Sequence, residues 1–217
     1  MKTKLLLIRH GETAWNAEHR IQGQLDIPLS PLGILQAARL AECLANEPID
    51  AVYSSGQSRA WLTAAPLAAR LGLEVIAEPR LRERSFGIFE GLTLDEIAAR
   101  YPAEFIKWRE RDPAWWPEGG ESGRQLIDRV MSAVSEIGAR HAGQTVALVS
   151  HGGVMDVVYR AARVLQWHAP REHQMLNAAV NRLTASAPAS DLAPIALSID
   201  LWGDVAHLQE SRDELPV

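Results

Sequence analysis

Four short apolar runs punctuate the chain: Leu5-Leu6-Leu7-Ile8, Ala51-Val52-Tyr53, Val75-Ile76-Ala77 and Val146-Ala147-Leu148-Val149. Each is continuous and only three or four residues long, the pattern of a strand buried on both faces. The segments between them read as helices. Ser30 followed by Pro31 is an N-cap and first-turn pair, and Ala, Leu and Gln carry that segment to about Asn46. A second helix is predicted from about Gln57 to Leu71, before Gly72. Strands that alternate with helices predict a parallel sheet, because parallel neighbours need crossover connections.

Beyond residue 90 the pattern changes. Thr93 with Glu96 and Ser122 with Gln125 each match a capping box, so residues 93–141 are predicted to form a helical excursion from the sheet. Residues 177–202 suggest two final strands around a polar, proline-containing turn. No repeat or low-complexity linker divides the chain. The expected architecture is therefore a single α/β domain over residues 1–217, a three-layer sandwich whose mostly parallel central sheet is flanked by helices.

Composition narrows the function. With 217 residues, 47% of them hydrophobic, the chain can build one substantial core. A formal net charge of -5 offers no global attraction for nucleic acid or an anionic membrane, so neither is an expected partner and basic chemistry must be local. Lys2 and Lys4 precede only four strongly apolar residues, too few for a signal peptide's apolar region or a membrane span. The single cysteine, Cys43, cannot form an internal disulfide, and its Ala/Leu-rich setting predicts a buried, inert thiol. These features fit a cytoplasmic protein; they do not set an oligomeric state.

The chemistry gathers at predicted strand ends. Arg9-His10-Gly11-Glu12-Thr13 follows the first strand, Ser150-His151-Gly152-Gly153 follows a later one, and Arg59 falls shortly after a third. Ligands of open α/β sheets collect at the carboxyl ends of strands. Three such ends here present two histidines and two arginines.

In these residues the chain resembles the histidine phosphatase superfamily, also called phosphoglycerate mutase-like, whose name-giving motif is Arg-His-Gly. The resemblance runs through residues 9–16, Gln22-Gly23 leading to Pro28-Leu29-Ser30, Ser54-Ser55 before Arg59-Ala60, Leu81-Arg82-Glu83, Phe86-Gly87 with Glu90-Gly91, Ser150-His151-Gly152-Gly153, and Ala206-His207-Leu208 in the closing strand region. It implies His10 as a covalent nucleophile and Glu83 as proton donor. Arg9, Arg59 and His151 would surround the phosphoryl group, with Asn16 as a further contact and Gln22, Gly23 and Gly152 lining the phosphate site. It also implies a phosphatase that needs neither metal nor cofactor and acts on a small phosphorylated metabolite.

Physical chemistry supports that division of labour. An unprotonated imidazole nitrogen can attack phosphorus, provided the other ring nitrogen is fixed by donating, as to a backbone carbonyl. Guanidinium groups suit the equatorial oxygens of a transferring phosphoryl group. His151, if protonated beside the dianion, would add a further cationic donor. A carboxylic acid can protonate the leaving oxygen and later activate water. Glu12, inside the loop motif, is expected to support the loop.

Rival readings exist for each signal. Histidines and carboxylates also bind zinc, but no His-Glu-x-x-His pair occurs and Arg9 beside His10 opposes a cation. Arg82 and Arg84 are expected to make ordinary surface pairs, although they could bind substrate. Lys107, Arg109 and Arg111 fit either a solvated helix face or a second anionic group of the substrate. Trp108, Trp115 and Trp116 fit ordinary packing or a lid over the ester's organic part. The compact stretch after Glu83, with Pro117-Glu118-Gly119-Gly120-Glu121-Ser122, resembles the phosphatase branch. A cofactor-dependent phosphoglycerate mutase and a catalytically silent phospho-ligand-binding protein are the alternatives. Gly56-Gln57-Ser58 and Leu62 depart from the family pattern around Arg59 and leave its pose open.

Overall fold

A computed structural model describes residues 1–186 and 195–208. Six strands form one sheet: β1 (Lys2–Arg9), β2 (Ala51–Ser54), β3 (Val75–Ala77), β4 (Thr145–Ser150), β5 (Val180–Ser186) and β6 (Ala196–Asp204), in the spatial order β3-β2-β4-β1-β5-β6. The four strands predicted from apolar runs pair in parallel, while β5 and β6 add antiparallel to β1 and to each other. The expected closing pair is thus present; the proline-containing part of its turn lies outside the described residues.

Helices cover both faces, because successive side chains of a strand point to opposite sides. Leu6 and Ile8 of β1 pack with Val52, Ala147 and Val149 beneath α2 (Pro31–Cys43) and α3 (Ser58–Leu71). Leu5 and Leu7 pack with Tyr53 and Leu148 beneath α6 (Gly123–Arg140) and α7 (Gly152–Arg163). A short α1 (Ala14–Ala17) follows β1, and α4 (Leu94–Arg100) and α5 (Pro102–Glu110) precede α6. The predicted excursion is helical, and α6 brings it back to the sheet. Both capping boxes form, Thr93 accepting from Glu96 N and Ser122 from Gln125 N. Among the described residues no helix is long and apolar enough to cross a membrane.

Three local expectations need correction. β3 is not buried on both faces: it is an edge strand, and Ile76 and Ala77 are exposed. Cys43 is exposed rather than buried. Gly33, Ala37, Leu40 and Ala41 define the inner stripe of α2, and at about 100° per residue position 43 falls well off that stripe. Residues Ala206–Leu208 form a 3₁₀ turn directly after β6, begun by Ala206 N donating to the Asp204 carboxylate, instead of continuing the strand.

Candidate active site

The parallel register sets the site. Arg9 of β1 lies opposite Ser150 of β4, and Val149 of β4 lies opposite Ser54 of β2. The next residues, His10, Ser55 and His151, therefore leave the same sheet edge side by side. The rings of His10 and His151 are 5.1 Å apart, and both side chains are buried. His10 N donates to Ser150 O at 2.9 Å, tying the two strand ends together.

His10 Nδ1 lies 2.7 Å from Gly11 O, the backbone partner that the chemistry requires. Donation there places the remaining lone pair on Nε2. Burial, followed by the positive fields of Arg9 and Arg59, holds the His10 pKa well below 6.5. His151 is lowered likewise by burial, then by Arg59 and His10, and its Nε2 is 2.7 Å from Ser55 Oγ. With protein groups alone around them, both rings are neutral at pH 7.

The arginines are held by carbonyls rather than carboxylates. Arg59, fully buried, donates through Nη1 to Leu25 O and through Nη2 to Gly23 O, each at 2.8 Å. Arg9 donates through Nη1 to Met175 O, and burial lowers its pKa to about 10. Carbonyls position a guanidinium without neutralising it, so the charge remains for a ligand. Arg9 Nε, Arg59 Nε, His151 Nδ1 and Gln22 Oε1 are all buried without a hydrogen-bond partner. Gly23, at φ +53°, turns its carbonyl toward Arg59 in a backbone state that favours glycine, and a Cβ there would meet the Glu90 carboxylate at 2.0 Å. Asn16 uses its amide oxygen to cap α1, accepting from Thr13 N at 3.0 Å, and Asn177 links that oxygen to His10 O.

Glu83 arrives from the other side. Ser150 Oγ donates to Leu81 O at 2.7 Å, which fastens the segment before Glu83 to the end of β4. Gly153 N, in the first turn of α7, donates to both Glu83 carboxylate oxygens at 3.1 Å, and Arg84 N donates to Oε1 at 2.7 Å. Gly152 precedes that donor at the helix start. Glu12 does support the loop: its carboxylate accepts from Ser30 Oγ at 2.9 Å and its amide donates to Gln36.

Several residues without an assigned role in the sequence prove structurally important. Gln57, in the stretch that departs from the family pattern, donates to Gly23 O and accepts from Glu83 N, and so links the Gly23 loop to Glu83. Arg129 of α6 donates to Arg80 O at 2.6 Å, Arg82 O at 2.7 Å and Glu83 O at 3.0 Å while pairing with both Glu121 oxygens. Nothing in the sequence near position 129 signals this, because the carbonyls it holds lie more than forty positions away. Arg82 is exposed as expected, but Arg84 is buried, correcting the surface-pair reading.

A cavity of about 260 Å³ opens beside Glu83, with Gly153 in its wall. Trp108, Trp115, Phe86 and Arg111 also line it. Trp116 does not, and it is 57% exposed; Trp167 also lines the cavity. Among the described residues no group of three or more His, Cys, Asp or Glu side chains is arranged to hold a metal ion.

Comparison with known proteins places these features in context. Residues 5–193 match the model of the histidine phosphatase superfamily, branch 1. The chain is similar to phosphoglycerate mutase-like protein 4 of Arabidopsis thaliana, 39% identical over 96% of this chain and 88% of the relative. It is 40% identical to a metal-independent phosphoserine phosphatase of the same plant, over 95% and 83% of the two chains. The solved structure of a mycobacterial glucosyl-3-phosphoglycerate phosphatase complexed with VO3 superposes with a TM-score of 0.80 at 36% identity, covering 92% of this chain and 98% of that one.

Proposed function

We propose, from the premise that the chain belongs to the histidine phosphatase superfamily, that it hydrolyses the phosphomonoester of a small metabolite through a phosphohistidine at His10. His10 Nε2 attacks phosphorus as the bond to the ester oxygen breaks, and Glu83 delivers a proton to the departing oxygen. Water then attacks the phosphohistidine and gives a proton to Glu83; the phosphorus–nitrogen electron pair returns to Nε2 and inorganic phosphate leaves.

The observation that carries this reading is the group of unsatisfied buried donors around the nucleophile. Arg9 Nε and Arg59 Nε lack partners beside a histidine whose tautomer is fixed by Gly11 O. Buried donors without partners are costly, and an equatorial array of phosphoryl oxygens would satisfy them. The dianion also supplies the negative field that raises the His151 pKa, so this ring can become the additional cationic donor. Asn16, Gln22, Gly23 and Gly152 complete the phosphate side in this reading. The similarity to phosphatases that act on phosphoserine and glucosyl-3-phosphoglycerate favours a hydrolase over a mutase. A small polar substrate and a lone cysteine fit a cytoplasmic setting.

The test is a panel of phosphomonoesters with EDTA-treated protein, in which phosphate release and 3-phosphoglycerate isomerisation are both recorded. Metal-free phosphate release abolished by His10→Ala is the expected result. Isomerisation faster than release would make the protein a mutase, and neither activity would leave a binding protein.

A further inference from the structure

Building on the hydrolase reading, we propose that Asp156 is a positioning residue for Arg9: its carboxylate fixes the strap over residues 164–179, whose Met175 carbonyl aims the Arg9 guanidinium at the phosphoryl group. Arg9 needs such help. Among the described residues Met175 O is the one hydrogen-bond acceptor of its guanidinium, and Arg9 Nε is buried without a partner. A carbonyl places a guanidinium only as well as its own segment is placed, and a shift of about 1 Å at a reacting centre can cost on the order of 100-fold in rate.

The strap joins α7 to β5 and contains neither helix nor strand, so no backbone ladder holds it. Side chains do. Arg160 of α7 donates through Nη1 to Gln166 O at 2.7 Å and through Nη2 to Ala169 O at 2.9 Å, while its Nε meets Asp156 Oδ1 at 3.0 Å. Arg111, at the end of α5, donates through Nε to Trp167 O at 3.2 Å and reaches Asp156 Oδ2 at 3.0 Å. Arg171, within the strap, lies 3.3 Å from the same oxygen. One buried carboxylate on a helix thus orients three arginines, of which two hold strap carbonyls and the third belongs to the strap.

The last stretch carries that anchorage to the site. His173 stacks on Tyr159 of α7 with ring centroids 3.8 Å apart, and its Nε2 lies 3.3 Å from Asp156 Oδ1. Trp202 of β6 donates to Gln174 O at 2.9 Å. Met175 follows directly, and Asn177 donates to His10 O at 2.9 Å. Among the described residues no hydrogen bond or ion pair joins Asp156 to Arg9, so the strap is the link.

The test is a double-mutant cycle read with inorganic phosphate, which has no organic part and so keeps ester contacts out of the comparison. The parent protein, Asp156→Asn, Arg9→Gln and the double variant are titrated by calorimetry, with phosphorus NMR line broadening where binding is weak, and thermal unfolding checks that each is folded. Asp156→Asn should weaken phosphate binding about tenfold in the parent but no more than about twofold beside Arg9→Gln, because its effect passes through Arg9. A residue that only stabilises the fold would give the same change in both backgrounds. Equal losses in the two, or unchanged binding in the parent, overturn the proposal, as does a parent protein that binds no phosphate. Should Asp156→Asn fail to fold, Arg171→Gln takes its place in the cycle under the same criteria, because that side chain is 41% exposed and its loss leaves Asp156 two arginine partners. If the coupling is present while the parent releases no phosphate from any ester, the positioning role stands and the hydrolase reading falls.

Discussion

Gly153→Ala should disable proton donation without destabilising the protein. A Cβ at this position would lie 2.2 Å from Glu83 Oε1, and that oxygen must retreat by about 1.2 Å to reach an ordinary 3.4 Å contact. The obstacle is the end of a flexible carboxylate, with Leu126 Cδ2 at 3.6 Å as the next nearest side chain, so the backbone need not move. Misplacement of a reacting group by about 1 Å can cost on the order of 100-fold in rate. Stability should hold or rise by up to about 1 kcal/mol, because alanine is the better helix former and position 153 lies in the first turn of α7. The assay is kcat on an alkyl phosphate and on p-nitrophenyl phosphate, with thermal unfolding in parallel. The alkyl ester needs a proton on its leaving oxygen far more than the phenolate does, so only its hydrolysis should fall steeply. Equal losses on both substrates, or a full rate on the alkyl ester, would refute the placement of Glu83 as acid.

Arg129→Gln should lower stability by roughly 1–3 kcal/mol, since three carbonyls and the Glu121 carboxylate lose a shared donor that is partly open to water. A melting temperature within 1 °C of the parent protein would contradict that estimate, given about 2–4 °C per kcal/mol for a domain of this size. Because the His10 pKa is held well below 6.5, the acid limb of kcat/KM assigned to it should also lie below 6.5; a midpoint at or above 6.5 would place the nucleophile elsewhere. The same depression makes stability pH-dependent. The unfolded chain binds protons at His10 and His151 near pH 6.5 while the folded chain does not, so this stability is fully present above pH 6.5 and falls below it, by about 1.4 kcal/mol per pH unit for each ring. Denaturant midpoints at pH 7 and pH 5.5 check the sign. Trp115→Ala should change the preference among esters and Trp116→Ala should not, as Trp115 lines the cavity and Trp116 does not.

The sheet and the meeting of His10 and His151 at one of its edges were legible in the sequence because both depend on local pattern. Continuous apolar runs mark β1, β2 and β4, and the chemical residues directly follow them, so their convergence needs only parallel pairing in a common register. β3 had the same pattern but a different outcome: its exposure is decided by its position at the sheet edge, which local sequence does not encode. Cys43 was misplaced because composition identified a helix without fixing the rotation of its stripe. Arg84 and Arg129 were underrated for a related reason. Their roles come from carbonyl acceptors on distant segments, and a backbone acceptor leaves no residue-type signature.

That preference for carbonyl acceptors also explains how one site can serve two opposing needs. A nucleophilic imidazole must be neutral, while a phosphoryl dianion must be met by positive charge. Burial is the main cause that keeps His10 unprotonated, and carboxylate partners for Arg9 and Arg59 would have weakened the field that adds to it and reduced the charge available to a dianion. Carbonyl partners leave both effects intact. In the proposed reaction, the field of a bound dianion would oppose that of the arginines and make protonation easier at both histidines. The two rings differ in what their nitrogens face. Donation from His10 Nδ1 to Gly11 O leaves the lone pair on Nε2, and in the proposed reaction bond formation to phosphorus there would occupy the position a proton would take. His151 has Ser55 at Nε2 and an unpartnered Nδ1, so a second proton on this ring gives it another hydrogen bond to donate. The proposed division into nucleophile and cationic clamp thus follows from the partners of each ring, although burial and the arginine field lower both pKa values in the same direction.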